Sequence, residues 1–111
     1  MRMWMVRPEL MCDKHLLGEH VECHMLAGTL ARSRSIDGFI AKGLLEPCSL
    51  EQRHQQLAEE MTARGFSHRS PLPDVDPGYL PAEALACRVD VAEAHQDIMR
   101  RCEACRSRGG R

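Results

Sequence analysis

Aromatic residues are scarce in this chain. They make up 4% of it: Trp4, Phe39, Phe66 and Tyr79. β-Branched residues are also sparse. An interior built from strands draws heavily on both kinds, so a β-rich fold is excluded as an expectation. Ala, Leu, Met and Cys supply most of the 43% hydrophobic content, and they favour helix. No apolar run approaches the roughly 20 residues of a membrane span. Arg2 and Arg7 near the start are not followed by the apolar stretch of a secretory signal, so a cytoplasmic protein is expected. No internal repeat is present. With 111 residues, the chain is expected to form one all-α domain over 1–111. The expected architecture is a compact helical bundle with a long central N-terminal helix and a proline-rich loop, and with residues 106–111 frayed.

Lysine is nearly missing too. Only Lys14 and Lys42 are Lys among 15 cationic residues; the rest are Arg, which suits bidentate phosphate contacts. Net charge is −1, but it is unevenly spread. Residues 70–98 carry Arg88 against Asp74, Asp76, Glu83, Asp90, Glu93 and Asp97, while residues 99–111 carry five Arg against Glu103. A neutral chain can thus present a basic patch. Without a secretory signal, the six cysteines (Cys12, Cys23, Cys48, Cys87, Cys102, Cys105) are expected to be reduced thiols packed as small apolar groups.

Pro8 disfavours helix at Arg7, so residues 1–8 read as extended. Residues 9–31 read as the longest helix. Cys12, Leu16, His20, Cys23, Ala27 and Leu30 share one stripe, and Leu17, Val21 and Met25 widen the apolar surface on another side. Residues 36–44 read as a short helix weakened by glycine. Ser49 with Gln52 has capping-box spacing and opens a helix that Gly65 closes. Leu50, His54, Leu57 and Met61 keep helical spacing there, while Glu51, Arg53, Glu59 and Glu60 read as a solvated face. Residues 67–81 hold four prolines and form a surface excursion. Pro81 can start another helical segment. Asp90 with Glu93 opens a last helix over about 90–105.

Three groups of residues carry chemistry. His15, Glu19 and Glu22 recur at i, i+4 and i+7, a polar stripe on the first helix close to the chain terminus. A carboxylate beside an α-amine is the minimal equipment for amine-based covalent catalysis on a carbonyl-like carbon. Residues 20–24 (HVECH) place His20 and His24 at i, i+4 with Cys23 between them. A structural zinc site needs four ligands and this stripe is apolar, so burial is the preferred reading. Cys102-x-x-Cys105 sits near a helix C-terminus, not the N-terminal position that activates a redox thiol. Zinc with Cys87 or His95 as further ligands is one reading of the pair; packed thiols beside a basic tail is the preferred one. Trp4 reads as an anchor for the N-terminal segment, with contact to an extruded base as the alternative.

KHLLGEHVE (residues 14–22) resembles the active-site helix of the pyrimidine-dimer DNA glycosylases, the bacteriophage endonuclease V-like family. The exit Arg64-Gly65-Phe66, the opening MRMWMV and RSPL at 69–72 resemble that family's bacterial branch. The resemblance implies a compact all-α fold, and an enzyme that removes a damaged base and then nicks the backbone at the abasic site. It places the nucleophilic amine at Met1 and the catalytic carboxylate at Glu22, with His15 and Glu19 as supporting residues. Arg2 matches a basic DNA-contacting residue just after the nucleophile. The phage enzyme exposes a threonine by losing its initiator methionine; here the bulk of Arg2 is expected to prevent that processing. Two features depart from the phage members. Val21 and Met25 stand where those enzymes carry DNA-binding arginines, and the aromatic C-terminal tail is replaced by MRRCEACRSRGGR.

An α-amine, with a reference pKa of about 7.7–8.0, is partly neutral and nucleophilic near pH 7. The implied route needs no cofactor and no metal. The expected partner is double-stranded DNA containing damaged or abasic sites, bound by a monomer without membrane association and nucleoid-associated when bound. Arg32, Arg34, Arg100, Arg101, Arg106, Arg108 and Arg111 are candidates for phosphate contacts. The alternatives are a non-catalytic DNA- or protein-binding helical module, and a small metal-binding helical protein that uses HVECH or the C-terminal cysteine pair.

Overall fold

A computed structural model describes the chain except Arg69, Gly110 and Arg111. The phosphate contact expected of Arg111 and the first residue of the 69–72 motif therefore lie outside the described residues. Among the described residues six α-helices follow in order: α1 Asp13–Ala31, α2 Asp37–Ala41, α3 Leu50–Ala63, α4 Ala82–Ala86, α5 Val91–Arg101 and α6 Glu103–Gly109. Single 3-10 turns at Pro8–Leu10, Pro47–Ser49 and Pro77–Tyr79 each begin on a proline, whose fixed φ is pre-organised for a first helical position. No strand occurs among the described residues. The all-α expectation holds.

α1 packs along α3, and this pair forms the centre of the molecule. The apolar stripe of α1 is buried as its spacing requires: Leu16, Cys23, Leu26, Ala27 and Leu30 are in the core, and Cys12 and His20 are buried beside them. Leu50, Leu57 and Met61 of α3 face them. Met3, Val6 and Met11 of the leading segment, with Ala94 and Ile98 of α5, complete the same core. The second apolar side expected for α1 is covered only in part: Leu17 packs against the core, whereas Val21 is 55% exposed and Met25 52%. α1 is therefore an edge helix on that side, not one surrounded by the bundle.

α1 starts later than its periodicity suggests, because Cys12 takes the extended N-cap geometry and its sulfur accepts from the His15 amide. Ser49 does not cap α3 with its side chain. Its hydroxyl instead donates to Glu46, whose other oxygen accepts from the Val89 amide at 2.9 Å. This buried carboxylate ties the start of α3 to the approach to α5. The exit of α3 is a Schellman motif: Gly65 has φ +88°, Phe66 N donates to the Met61 carbonyl (2.9 Å), and Gly65 N to that of Thr62 (3.0 Å). Asp90 caps α5 by accepting from Glu93 N at 3.0 Å. The expected single last helix is broken at Cys102 (φ −125°, ψ 110°), and α6 continues from Glu103 through residues expected to fray.

Candidate active site

The leading segment is threaded into the fold. Met3 N donates to the Leu44 carbonyl at 2.8 Å, and the Met3 side chain is fully buried. Val6 is buried and Trp4 half-buried against the core, so the anchoring reading of Trp4 agrees with its place here. Met5, between them, holds φ +59°. A non-glycine residue there is strained by roughly 1–3 kcal/mol, and its buried neighbours hold it in place. Two consequences meet at Glu22. The Met1 amine stands 4.0 Å from Glu22 Oε2, and the Arg2 backbone N–H donates to the same oxygen at 3.3 Å. Glu22 retains 32% of its side-chain exposure, whereas Met1 retains only 9%. The carboxylate is reachable from solvent and the amine is held against it.

The rest of the polar stripe does not converge there. Glu19 turns toward α3 and is fully buried in an ion pair with Arg53, at 2.5 Å from Nε to Oε2 and 3.0 Å from Nη2 to Oε1. Arg53 is 1% exposed, which corrects its assignment to a solvated face. Its remaining donor capacity reaches Gln56 and the Met11 sulfur. The three side chains share one face but are spread over about 10.5 Å of the helix axis, so neighbours at different levels capture different members. His15 points down the helix, away from Glu22. Its Nδ1 lies 3.3 Å from Cys12 Sγ and 3.5 Å from Cys105 Sγ, and its ring meets the Trp4 edge at 5.7 Å and 89°. Cys87 and His95, suggested as partners of the C-terminal pair, are not in this cluster; Cys12 and His15 are.

The Arg2 side chain stacks over Trp4, with its guanidinium carbon 3.7 Å from the ring centroid, and donates to Asp97 at 2.9 Å. Arg100 and Arg101 bind the same aspartate. The Arg100 hydrogen bond, with Arg2 and Arg101 adding to it, holds the Asp97 carboxyl below the usual carboxylate range. A groove of about 440 Å³ lies among Arg2, Glu93, Gln96, Asp97, Arg100 and Arg101. Arg32 and Arg34 lie past the far end of α1; at 1.5 Å per helical residue Arg32 is about 15 Å from Glu22. Arg106 donates to the Met99 and Arg100 carbonyls, and Arg108 to the Glu9 carbonyl.

On the opposite side of α1, four imidazoles stack together. His20 Nε2 meets His68 Nε2 at 2.8 Å, and His54 Nε2 meets His24 Nε2 at 3.1 Å. Each contact requires one ring nitrogen to donate and the other to accept. Burial, with the neighbouring rings adding, pushes His20 down to about 4 and also lowers His54. The burial expected for His20 and Cys23 is observed. His54 was legible as part of an apolar stripe, but the approach of His68 from the proline-rich excursion was not.

With the site in view, residues 1–74 match the family model described as pyrimidine dimer DNA glycosylase. The chain belongs to that family. Comparison with curated proteins and with solved structures finds no match. The matched span covers the Met1–Glu22 pair, the buried Glu19–Arg53 pair and α3. It ends before α4, α5 and α6, so Asp97, Arg100, Arg101 and the C-terminal cysteines lie beyond it. Membership brings a DNA glycosylase role in repair, with DNA as the substrate. No described helix is long and apolar enough to cross a membrane.

Proposed function

We propose that this chain is a DNA repair glycosylase with associated abasic-site lyase activity, acting on damaged pyrimidines in double-stranded DNA through the Met1 amine and the Glu22 carboxylate. The observation that carries the reading is the 4.0 Å approach of the amine to Glu22 Oε2, in a segment anchored by buried Met3 and Val6. The neutral amine attacks the sugar C1′. The N-glycosidic bond breaks and the base leaves with its bonding pair, taking up a proton. The attached nitrogen gives up one proton, the C1′–O4′ bond breaks and O4′ takes up a proton as the ring opens, leaving a protonated imine between Met1 and C1′. Glu22 stabilises the cationic sugar and accepts a proton. The imine then acidifies C2′; loss of that proton and departure of the 3′ phosphate are a β-elimination. Water hydrolyses the imine and returns the amine. General acid–base help of this kind is worth about 10²–10⁴-fold.

Glu19 has no part in these steps, because its carboxylate is consumed by Arg53. His15 acts on the site only through Trp4 and Arg2. A glycosidic bond inside a stacked duplex is out of reach, so the nucleotide must be extruded. Arg2, adjacent in sequence to the amine, borders one groove with Arg100 and Arg101, and these three are candidates for phosphate contacts. Arg32 and Arg34 would touch DNA only farther along the duplex. Two exposed apolar side chains, Val21 and Met25, flank Glu22 on the outer face of α1.

The Glu22→Gln variant tests the reading. Its expected behaviour on duplex DNA with a cyclobutane dimer or an abasic site is loss of base release and strand cleavage by 10²-fold or more, with retained affinity in a gel-shift assay. Equal loss of binding and chemistry would make Glu22 an anchor for Arg2 instead.

A further inference from the structure

The fold brings two pairs of metal-binding side chains together from opposite ends of the chain. Cys12 and His15 lie at the start of α1; Cys102 and Cys105 lie at the junction of α5 and α6. Within each pair the spacing is two intervening residues, as in many four-ligand zinc sites. Their four ligand atoms all lie within 4.8 Å of one another. We propose that Cys12, His15, Cys102 and Cys105 hold a structural zinc ion, with three thiolate sulfurs and the imidazole Nδ1 as a closed tetrahedral set.

The distances suit the ion. With Zn–S near 2.3 Å and Zn–N near 2.0–2.1 Å, a tetrahedron has S···S edges of about 3.8 Å and S···N edges of about 3.6 Å. Cys12 Sγ and Cys102 Sγ are 3.8 Å apart, and His15 Nδ1 is 3.3 and 3.5 Å from the sulfurs of Cys12 and Cys105. A disulfide needs sulfurs near 2.05 Å, and all of these cysteines are free. Backbone amides aim at each sulfur: His15 N at Cys12 Sγ (3.5 Å), Cys105 N at Cys102 Sγ (3.5 Å) and Cys12 N at Cys105 Sγ (3.3 Å). N–H donors on every sulfur are what thiolates bound to a cation require around them. Thiols packed only as apolar groups require no such donors.

The local backbone is bent to make the cluster. Cys12 leaves helical geometry to become the N-cap of α1, and Cys102 interrupts what the periodicity reads as one continuous helix. Binding releases the three thiol protons to solvent and leaves a site of net charge −1. Lys14 and Arg108 line the surface depression beside Cys12, with Asp13 also there. The ion would tie α6 to the start of α1. It would also fix the His15 ring against Trp4, on which the Arg2 guanidinium rests. The zinc thereby braces the segment that carries the Met1 amine, a role separate from the chemistry there.

Metal content tests the assignment without any activity measurement. The untagged full chain, purified without added metal, is expected to carry one zinc per chain by elemental mass spectrometry. Of its six thiols, those of Cys12, Cys102 and Cys105 should become open to alkylation only when a strong chelator is added, as peptide mapping reads, whereas buried Cys23 stays unreactive with or without it. Cobalt added to the chelated chain should give tetrahedral visible bands with sulfur-to-cobalt charge transfer. Cys102→Ser should lose zinc to a chelator that leaves the native chain loaded, while Cys48→Ser, Cys87→Ser and His54→Asn keep it. Absence of zinc, iron in its place, a disulfide among the three cysteines, or metal that survives Cys102→Ser would each overturn the proposal. Should Cys102→Ser fail to fold, the alkylation map of the native chain decides alone: no protection at 12, 102 and 105 refutes the site.

Discussion

Replacing Arg53 by Met separates a structural carboxylate from a catalytic one. Arg53 and Glu19 are both within 1% of complete burial, and they meet through two N–H···O bonds. Removing the guanidinium strands Glu19 without its counter-charge, next to Met11 and the core of α1. Breaking a buried pair in this way costs about 3–5 kcal/mol. Total stability for such a domain is about 5–15 kcal/mol, so the loss is a large fraction of it. At about 4 °C per kcal/mol for a chain of this length, the melting temperature should fall by about 12–20 °C. The companion double variant, Glu19→Leu with Arg53→Met, replaces both charges by apolar groups of similar size and should recover most of that loss. Thermal unfolding followed by circular dichroism, run as a double-mutant cycle, measures each step. A single-variant drop of only a few degrees, or a double variant no better than the single, would refute the argument that burial and not the pair's attraction sets the cost. The double variant, once folded, should also trap DNA covalently as the native chain does.

Acid should destabilise the protein through the histidine cluster. His20, faced by His24, His54 and His68, titrates near 4 in the fold against about 6.5 unfolded. The unfolded chain therefore binds more protons between those values. Stability is fully present above about pH 6.5 and falls as pH drops toward 4, by up to about 3 kcal/mol from this residue. Denaturant melts across that range check it, and a His20→Leu variant with an unchanged slope would contradict it. Restoring charge at the apolar edge of α1, with Val21→Arg and Met25→Arg together, should tighten duplex binding and steepen its dependence on salt by up to about two phosphate contacts. Fluorescence anisotropy across a salt series reads this, and an unchanged slope would mean that DNA does not pass over that edge. At the exit of α3, Gly65→Ala forces a side chain into φ +88°. It should cost about 1–2 kcal/mol, and no measurable change in unfolding would be inconsistent with the Schellman geometry.

Periodicity exposed the parts of this fold that depend on one helix at a time. The buried stripe from Cys12 to Leu30 and the closure of α3 at Gly65 both follow from local spacing and local backbone conformation. What spacing left open was which neighbour each polar side chain would meet. Glu19 and Glu22 look alike along α1, yet one is captured by Arg53 and the other by the leading segment. Arg53 looked solvated because its charge masks its place on a buried face of α3. The two apolar residues Val21 and Met25 read as core because amphipathicity cannot tell a covered side from an uncovered one. The cysteines of the C-terminal pair pointed to nearby partners in sequence, whereas the α5–α6 junction brings them back to the start of α1. Their separations of 90 and 93 residues from Cys12 put those contacts beyond any local pattern.

In the proposed mechanism the Met1 amine and Glu22 act as one catalytic unit. Borohydride trapping tests it most directly, using protein whose native N-terminus is verified by mass spectrometry and duplex DNA bearing a dimer or an abasic site. The expected result is a covalent protein–DNA adduct that maps to Met1 and disappears when the amine is acetylated or a tag precedes it. An adduct at another residue, or no adduct on either substrate, would contradict it.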